Sequence, residues 1–508
     1  MQIEINELFA KALDLLEKTR QNVFITGKAG TGKSTLLQYF RNNTGKKVVV
    51  LAPTGVAAIN VLGETIHSFF RFKPNLTLNK VKKIRFQDES NNIYKKIDAI
   101  VIDEISMVRA DLLDCIDKFL RLNGSKRNRP FGGLQMIFFG DLYQLPPVVV
   151  SKERAIFKNH YDSPYFFAAK IFQKIKMEYL ELEKVYRQRD DKFIALLNSI
   201  RNNSAGELEL TGLNQRVRAE QEPEGDYFVC LTTTNQMAKD TNEKRLEQLP
   251  GKMQVFEGLL DGDFDLKQLP TGLVLKLKQG AQVMMLNNDR YGRWVNGTMA
   301  RIKTIKQDQL EVELQNGENY EVEPHTWEIF HFSYNSKTKS LDSEITAAFT
   351  QFPLKLAWAI TIHKSQGKTF DNVVIDIGNG TFAHGQMYVA LSRCRSLEGI
   401  ILKKPLKKSH ILMDWRIVKF ITGYQYQLAE EGCSFKAKMA LIKAAIKNKA
   451  ELTITYLKAS DEKSRRTIEP QAVGEMEFKD KPFIGVKAFC QQRKQERVFR
   501  VDRILEIL

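Results

Sequence analysis

Two short stretches of this chain carry side chains whose types and spacing suit phosphate chemistry. The run GKAGTGKST at 27–35 sets Gly27, Gly32, Lys33 and Ser34 in the pattern G-x-x-x-x-G-K-[ST], with Gly30 inside it and Thr35 beside it. Glycines let successive backbone N–H groups close round phosphate oxygens. Lys33 then reaches the β- and γ-phosphates, and the Ser34 hydroxyl holds magnesium. About 70 residues later comes Asp103-Glu104. An aspartate at a strand end can hold magnesium through its water shell, and an adjacent glutamate can orient or deprotonate an attacking water. Read alone, the pair is equally two surface acids after a strand. Gln144, in DLYQLPP, stands where an amide could sense a γ-phosphate; Pro146 and Pro147 also make that segment a stiffened turn.

These groups need rigid elements to aim them. VFIT at 23–26, AIVID at 99–103 and MIFFG at 136–140 are short apolar runs of the kind that form parallel strands buried on both faces. LLQYFRN follows the glycine loop as a helix, whose N-terminus adds partial positive charge. The expected class is α/β, with nucleotide at the carboxyl ends of parallel strands.

The chain has 508 residues, enough for three or four compact units, and 43% are hydrophobic. Its 77 Lys+Arg against 60 Asp+Glu give +17, which favours a polyanionic partner, nucleic acid first. From Lys403 to Leu508 there are 23 Lys+Arg and 13 Asp+Glu, so this fifth of the chain carries +10. Five cysteines, scattered and never spaced C-x-x-C, indicate neither a disulfide framework nor zinc. MQIEINELFAKALDLLEKTR reads as an amphipathic helix rather than a signal peptide, and no apolar run reaches a bilayer-spanning length. A cytoplasmic protein with no membrane partner is expected.

Longer runs bring in a family. DEISMVRADLLDCIDKFLR followed by RPFGGLQMIFFGDLYQLPPV resembles the signature of the PIF-type DNA helicases of superfamily one. LAPTGVAAINVLGETIHSFF at 51–70 is similar to their strand-contacting segments, and LKLAWAITIHKSQGKTFDNVVID at 354–376 and QMYVALSRCRS at 386–396 match later motifs in order. The resemblance covers roughly residues 20–402. It implies an ATP-dependent DNA helicase using Mg2+, moving 5′ to 3′ on single-stranded DNA and unwinding duplexes. It also implies two RecA-like parallel-sheet domains, at 1–182 and 183–402, with ATP between them. Arg393 in ALSR matches the family's arginine finger, Arg187 in VYRQ a second arginine for the γ-phosphate, and Gly367 a nucleotide-site glycine. Without the resemblance, either arginine reads as a surface salt bridge. The family's adenine-reading glutamine has no clear match; Gln2 and Gln21 are the candidates. Forked duplexes, four-stranded guanine structures and RNA–DNA hybrids all come within range as partners. A bacterial, nucleoid-associated monomer is implied.

Sequence-tolerant strand binding needs backbone contacts and aromatic faces. Pro53, Thr54 and Gly55 follow a buried strand and offer amides and a hydroxyl. His67, Ser68 and Phe69 supply polar and aromatic groups, and His363, Lys364 and Ser365 form the matching set in the second domain. Tyr143, Asn235 and Asn296 are further candidates. Core packing is the other reading of Phe69 and Phe70, since adjacent residues point different ways and at least one should be buried. His67 alone also reads as a structural histidine.

The polar, basic segment 73–96 is a wedge by resemblance or else a solvated loop. From about 290 to 350, alternating polar and apolar residues with a turn at Gln315-Asn316-Gly317 predict a small antiparallel barrel, SH3-like by resemblance. After a helical linker at 403–430, residues 431–508 resemble a WYL domain through Tyr456, Arg465, Pro470, Arg500, Asp502 and Ile504. The naming triplet is degraded to Pro482-Phe483-Ile484. Arg465, Arg466, Arg500 and Arg503, with Tyr456, form an expected extra single-strand site; a basic face that touches no DNA is the alternative. Two other functions fit parts of the sequence: a strand-binding ATPase switch that does not unwind, and a P-loop phosphotransferase.

Overall fold

The computed structural model describes residues 5–73, 76–86, 88–149, 157, 159–218, 227–262, 269–306, 309–335, 340–478 and 481–508. Six parallel strands form the first sheet: β1 (Asn22–Gly27), β2 (Val48–Ala52), β3 (Glu64–Thr65), β4 (Ala99–Ile102), β5 (Gln135–Phe139) and β6 (Met177–Leu182), in the order β3-β2-β4-β5-β1-β6. Every residue of β4 and β5 is buried, as uninterrupted apolar runs between two covered faces require. One face is covered by α1 (Glu7–Lys18) and α2 (Lys33–Asn43). In α1 the buried residues Phe9, Ala12 and Leu16 recur at helical spacing, and the Asn6 side chain caps the start by accepting from the Phe9 N–H. The functional consequence lies in the strand order: β4, β5 and β1 are neighbours, so the residues following them emerge side by side.

A second parallel sheet has the order Ala359–Thr361, Val229–Thr232, Val373–Asp376, Ile400–Leu402. The helix Gln386–Leu391, buried along its whole length, precedes its last strand. Three antiparallel sheets accompany it. The largest runs Asn319–Val322, Gln309–Leu314, Met299–Lys306, Gln282–Met285, Leu354–Leu356 around its own apolar core. His325–Asn335 and Ser340–Gln351 make a long hairpin that pairs with Leu259–Gly262, and Gln254–Glu257 pairs with Val274–Leu277. The strands of 290–350 are antiparallel, as their alternation predicts, and divide between two sheets, each of which recruits strands from outside the segment. Period-two alternation marks a strand without naming its partner.

Segment 73–96 is exposed over much of its described part, with Lys80, Lys82, Lys83 and Lys95 at the surface. It forms short turns at Leu78–Lys80, Glu89–Asn91 and Ile93–Lys95, and Val81, Ile93 and Tyr94 are buried.

The chain divides into two units, 1–198 with 205–412, and 199–204 with 413–508. The second contains the helices Trp415–Gly432 and Phe435–Asn448 and a five-stranded antiparallel sheet, Gln495–Arg500, Lys481–Cys490, Lys463–Phe478, Leu452–Leu457, Ile504–Ile507. Its core includes Ile442, Ile454, Ile468, Val486 and Phe499. A buried pair, Arg201 Nη1 and Asp461 Oδ2 at 3.5 Å, ties 199–204 into this unit, and the Gln425 amide donates to Asp461 at 2.9 Å. Among the described residues, no helix is long and apolar enough to cross a membrane, and no His/Cys/Asp/Glu cluster could hold a metal ion by itself.

Candidate active site

Three adjacent strand ends build this site. The glycine loop joins β1 to α2 with Gly27, Gly30 and Gly32 at φ of +150°, +83° and +85°, values that side-chain-bearing residues rarely adopt. Glycine at 30 has a second cause: a Cβ there would stand 2.5 Å from the Cβ of Arg187. The Lys33 ammonium donates to the carbonyls of Gly27 at 2.7 Å and Lys28 at 2.9 Å. Burial lowers its pKa; Asp141, Glu104 and Asp103 oppose that shift, and Arg187 adds to it. Ser34 and Thr35 occupy the first turn of α2.

Beyond β4, the Asp103 N–H donates to the Leu51 carbonyl at 2.9 Å and prolongs the sheet by one residue. Glu104 then takes φ +49°, in the left-handed region. For a non-glycine residue that conformation costs about 1–3 kcal/mol and is characteristic of functional sites. Burial raises both carboxyls, and the Asp103 charge raises Glu104 further against the pull of Lys33 and Arg393.

Beyond β5 stands Asp141, buried, which the sequence reading missed. It accepts from the Tyr143 N–H at 3.1 Å and from the Gln144 amide at 3.3 Å, and its charge acts on Lys33, Glu104 and Arg393. The available signal was its position at the end of a third apolar run. Gln144 is itself buried beside it.

Basic groups reach the same place from the second sheet and from the segment that follows β6. Arg393 is 1% exposed and donates to the carbonyls of Val389 at 2.9 Å and Lys368 at 3.3 Å, and to the Ser392 hydroxyl at 2.8 Å. Burial and the neighbouring Arg187 hold its pKa well below the usual guanidinium range. Arg187 donates to the Ser392 carbonyl at 3.2 Å, and the buried amide of Gln188 donates to Ser392 and Cys394 carbonyls at 3.2 and 3.0 Å. The Tyr388 hydroxyl accepts from the Ala29 N–H within the glycine loop at 2.9 Å. Neither Gln188 nor Tyr388 was singled out from sequence; their partners lie about 200 and 359 residues away.

The strand-facing candidates fare unevenly. Thr54 is exposed and caps the helix Gly55–Asn60 by accepting from the Ala57 N–H, with Pro53 just before it. His67 and Ser68 are exposed, and the Ser68 hydroxyl donates to Glu64 at 2.6 Å. Phe69 is corrected: it and Phe70 are both buried, in an aromatic cluster with Tyr94 and Phe119, so it offers no face for stacking. Tyr143 is likewise fully buried, near His384. His363–Ser365 form a turn after a strand of the second sheet. Lys364 is exposed there, but Ser365 is buried with its hydroxyl donating to the Ile362 carbonyl, so it shapes the turn and cannot reach a strand. Phe382, 63% exposed, stacks on His363 with centroids 6.2 Å apart, an aromatic face that sequence reasoning missed. Gly367, at φ +79°, lies just past the turn. Asn235 is exposed at a helix start. The Asn296 amide is engaged between Asn60 at 3.2 Å and Lys368 at 2.5 Å.

In the second unit, Arg465 and Arg466 are adjacent on one strand and therefore point to opposite faces. Arg466 pairs across from the core residue Ile454 and donates to Ser464; Arg465 pairs across from Thr455 and is exposed. Tyr456 packs edge-on against Phe499 in the core. Arg500 is bidentate to Asp502, at 3.0 and 2.6 Å, and lies over the Phe483 ring; Arg503 closes the short turn Val501–Arg503. The five residues do not form one surface, because Tyr456 and Arg466 turn toward the core.

Comparison with known proteins matches residues 2–209 to the model of the PIF1-like helicase family, 356–397 to the UvrD-like helicase C-terminal domain, and 437–507 to the WYL domain. The ATP-dependent DNA helicase Pif1 of Bdellovibrio bacteriovorus is 32% identical over 435 residues, covering 84% of this chain and 93% of that protein. The human ATP-dependent DNA helicase PIF1 is 35% identical over 393 residues, 75% of this chain; the chain spans 58% of that longer relative. A solved structure of Bacteroides sp Pif1 in complex with ADP-AlF4 is 35% identical with TM-score 0.76, over 84% of this chain and 98% of that one.

Proposed function

The chain belongs to the PIF1-like helicase family, and from that premise we propose that it is a motor driven by Mg-ATP that moves 5′ to 3′ along single-stranded DNA and unwinds duplexes. One observation carries the reading: the turn His363–Ser365 leads within three residues to groups touching both Glu104 and Arg393. Strand contact and hydrolysis thus share one short segment.

The glycine cradle and Lys33 suit a triphosphate, and the hard oxygen donors Ser34 and Asp103 suit magnesium, with Asp141 adding negative charge nearby. When bound, the metal neutralises charge on the phosphoryl oxygens. Glu104 orients the attacking water and takes its proton. Arg393, from the second sheet's connections, and Arg187, from the segment after β6, supply positive charge, an effect worth about 10³–10⁵ in rate for such arginines. Gln144, held by Asp141, responds to the γ-phosphate. Thr54, His67 and Ser68 grip the strand from the first sheet, and His363, Lys364 and Phe382 from the second, with Asn235 beside them. Alternation of the two grips with ATP turnover moves the protein along the backbone. Arg465, Arg500 and Arg503 of the second unit form an accessory contact to the strand. The protein works as a cytoplasmic, nucleoid-associated monomer, on forks and on structured guanine or RNA–DNA substrates.

Strand displacement on matched duplexes with a 5′ or a 3′ single-stranded tail tests this, with Lys33→Ala as control. Displacement from the 5′ tail alone, lost in the control, is the expected result. A 3′ preference overturns the direction. ATP hydrolysis without displacement from either tail favours a strand-binding ATPase switch.

A further inference from the structure

The Gln366 side chain donates from Nε2 to Glu104 Oε2 at 3.1 Å, a contact between residues 262 apart in the chain. Glu104 sits on a left-handed backbone in a buried site, so the aim of its carboxylate depends on what holds its free end. We propose that Gln366 is a positioning residue for Glu104, through which occupancy of the strand site sets the rate of hydrolysis. The proposal rests on the reading of the chain as a strand-dependent ATPase.

The local geometry makes Gln366 responsive to the strand. The Lys364 N–H donates to Thr361 Oγ1 at 3.2 Å, the Ser365 hydroxyl and N–H both donate to the Ile362 carbonyl at 2.7 and 3.2 Å, and the Gln366 N–H donates to the His363 carbonyl at 3.3 Å. These bonds make 361–366 a stiff unit, so a load on His363 or Lys364 moves the Gln366 side chain with it. Two residues on, the Lys368 carbonyl accepts from Arg393 Nη1 at 3.3 Å. The Lys368 ammonium continues through the Asn296 amide to Asn60, the last residue of the helix that Thr54 caps. Both strand-facing elements therefore end on the segment that holds Glu104.

The test is steady-state ATP hydrolysis by the full chain, with and without saturating oligo-dT, for wild type, Gln366→Met and Gln366→Glu. Methionine keeps the volume and removes the donor; glutamate sets a second carboxylate against Glu104. The expected result is a ratio of stimulated to strand-free rate at least tenfold lower in both variants. Strand affinity by fluorescence anisotropy and nucleotide affinity should stay within twofold of wild type. A wild type that oligo-dT fails to stimulate contradicts the underlying reading. With a stimulated wild type, three results overturn the proposal: an unchanged ratio, equal loss of both rates, or strand affinity lost in proportion to rate. A strand-free rate raised to the stimulated level also overturns it, since Gln366 would then restrain Glu104 instead of positioning it.

Discussion

Lys355 should make strand binding sensitive to pH. It lies between Leu354 and Leu356 on a strand paired with Gln282–Met285, and burial, then the charges of Lys368 and Lys364, hold it down to about 7 from the ordinary 10.5. At about 1.36 kcal/mol per pH unit, charging it in the free protein carries a penalty of about 4–5 kcal/mol. The sign follows from linkage. Between about pH 7 and 10.5 the unfolded chain keeps a proton that the folded chain has released, so stability rises with pH across that window. Below pH 7 the full penalty is present. A strand phosphate brought beside Lys355 should return the proton, so binding should take up as much as one proton per site and affinity should fall as pH rises above about 7, by up to tenfold per unit. Lys368, held down to about 8 by burial, acts with the same sign in a higher window. Calorimetric titration of oligo-dT in buffers of different ionisation enthalpy measures the proton uptake directly. Lys355→Met should shift the pH dependence above 8 and raise stability at pH 6 more than at pH 9. Equal affinity at pH 7 and 8.5, with heats independent of buffer, would refute the argument.

Phe382→Ala removes an exposed stacking face and should weaken oligo-dT binding by about 1–3 kcal/mol, measured by anisotropy, while strand-free hydrolysis is unchanged. Gly30→Ala places a methyl against Arg187 on a backbone that disfavours it by about 1–2 kcal/mol; hydrolysis should fall about 10- to 100-fold with the far-ultraviolet circular dichroism of wild type. Arg201→Ala strands the Asp461 carboxylate in the interior of the second unit, and urea unfolding should show a loss of about 3–5 kcal/mol.

Much of the frame was legible because β1, β4 and β5 are bare apolar runs, and only strands covered on both faces tolerate that pattern. The glycine loop was equally plain, since its spacing is its geometry. The aromatic pair was half legible. Adjacency argued that one of Phe69 and Phe70 is buried; both are, because the helix Ile66–Phe69 ends there and the chain turns Phe70 back into the same cluster. Asp141 escaped notice among the polar residues of DLYQLPP, although a third strand end beside the first two was the place to look. Gln366, Tyr388 and Asn296 owe their roles to partners more than 200 residues away, and side-chain hydrogen bonds across such distances leave no periodic trace. Alternation between 299 and 351 announced strands but not which sheet would take them. Neighbouring Arg465 and Arg466 looked like one basic patch until the pleat sent them to opposite sides.

The hydroxyl of Tyr388 on the Ala29 amide makes the cradle partly self-filled. A phosphate that claims that N–H must first evict a phenol belonging to the other sheet. Loading the fuel and prising the two halves of the motor apart then draw on the same bond.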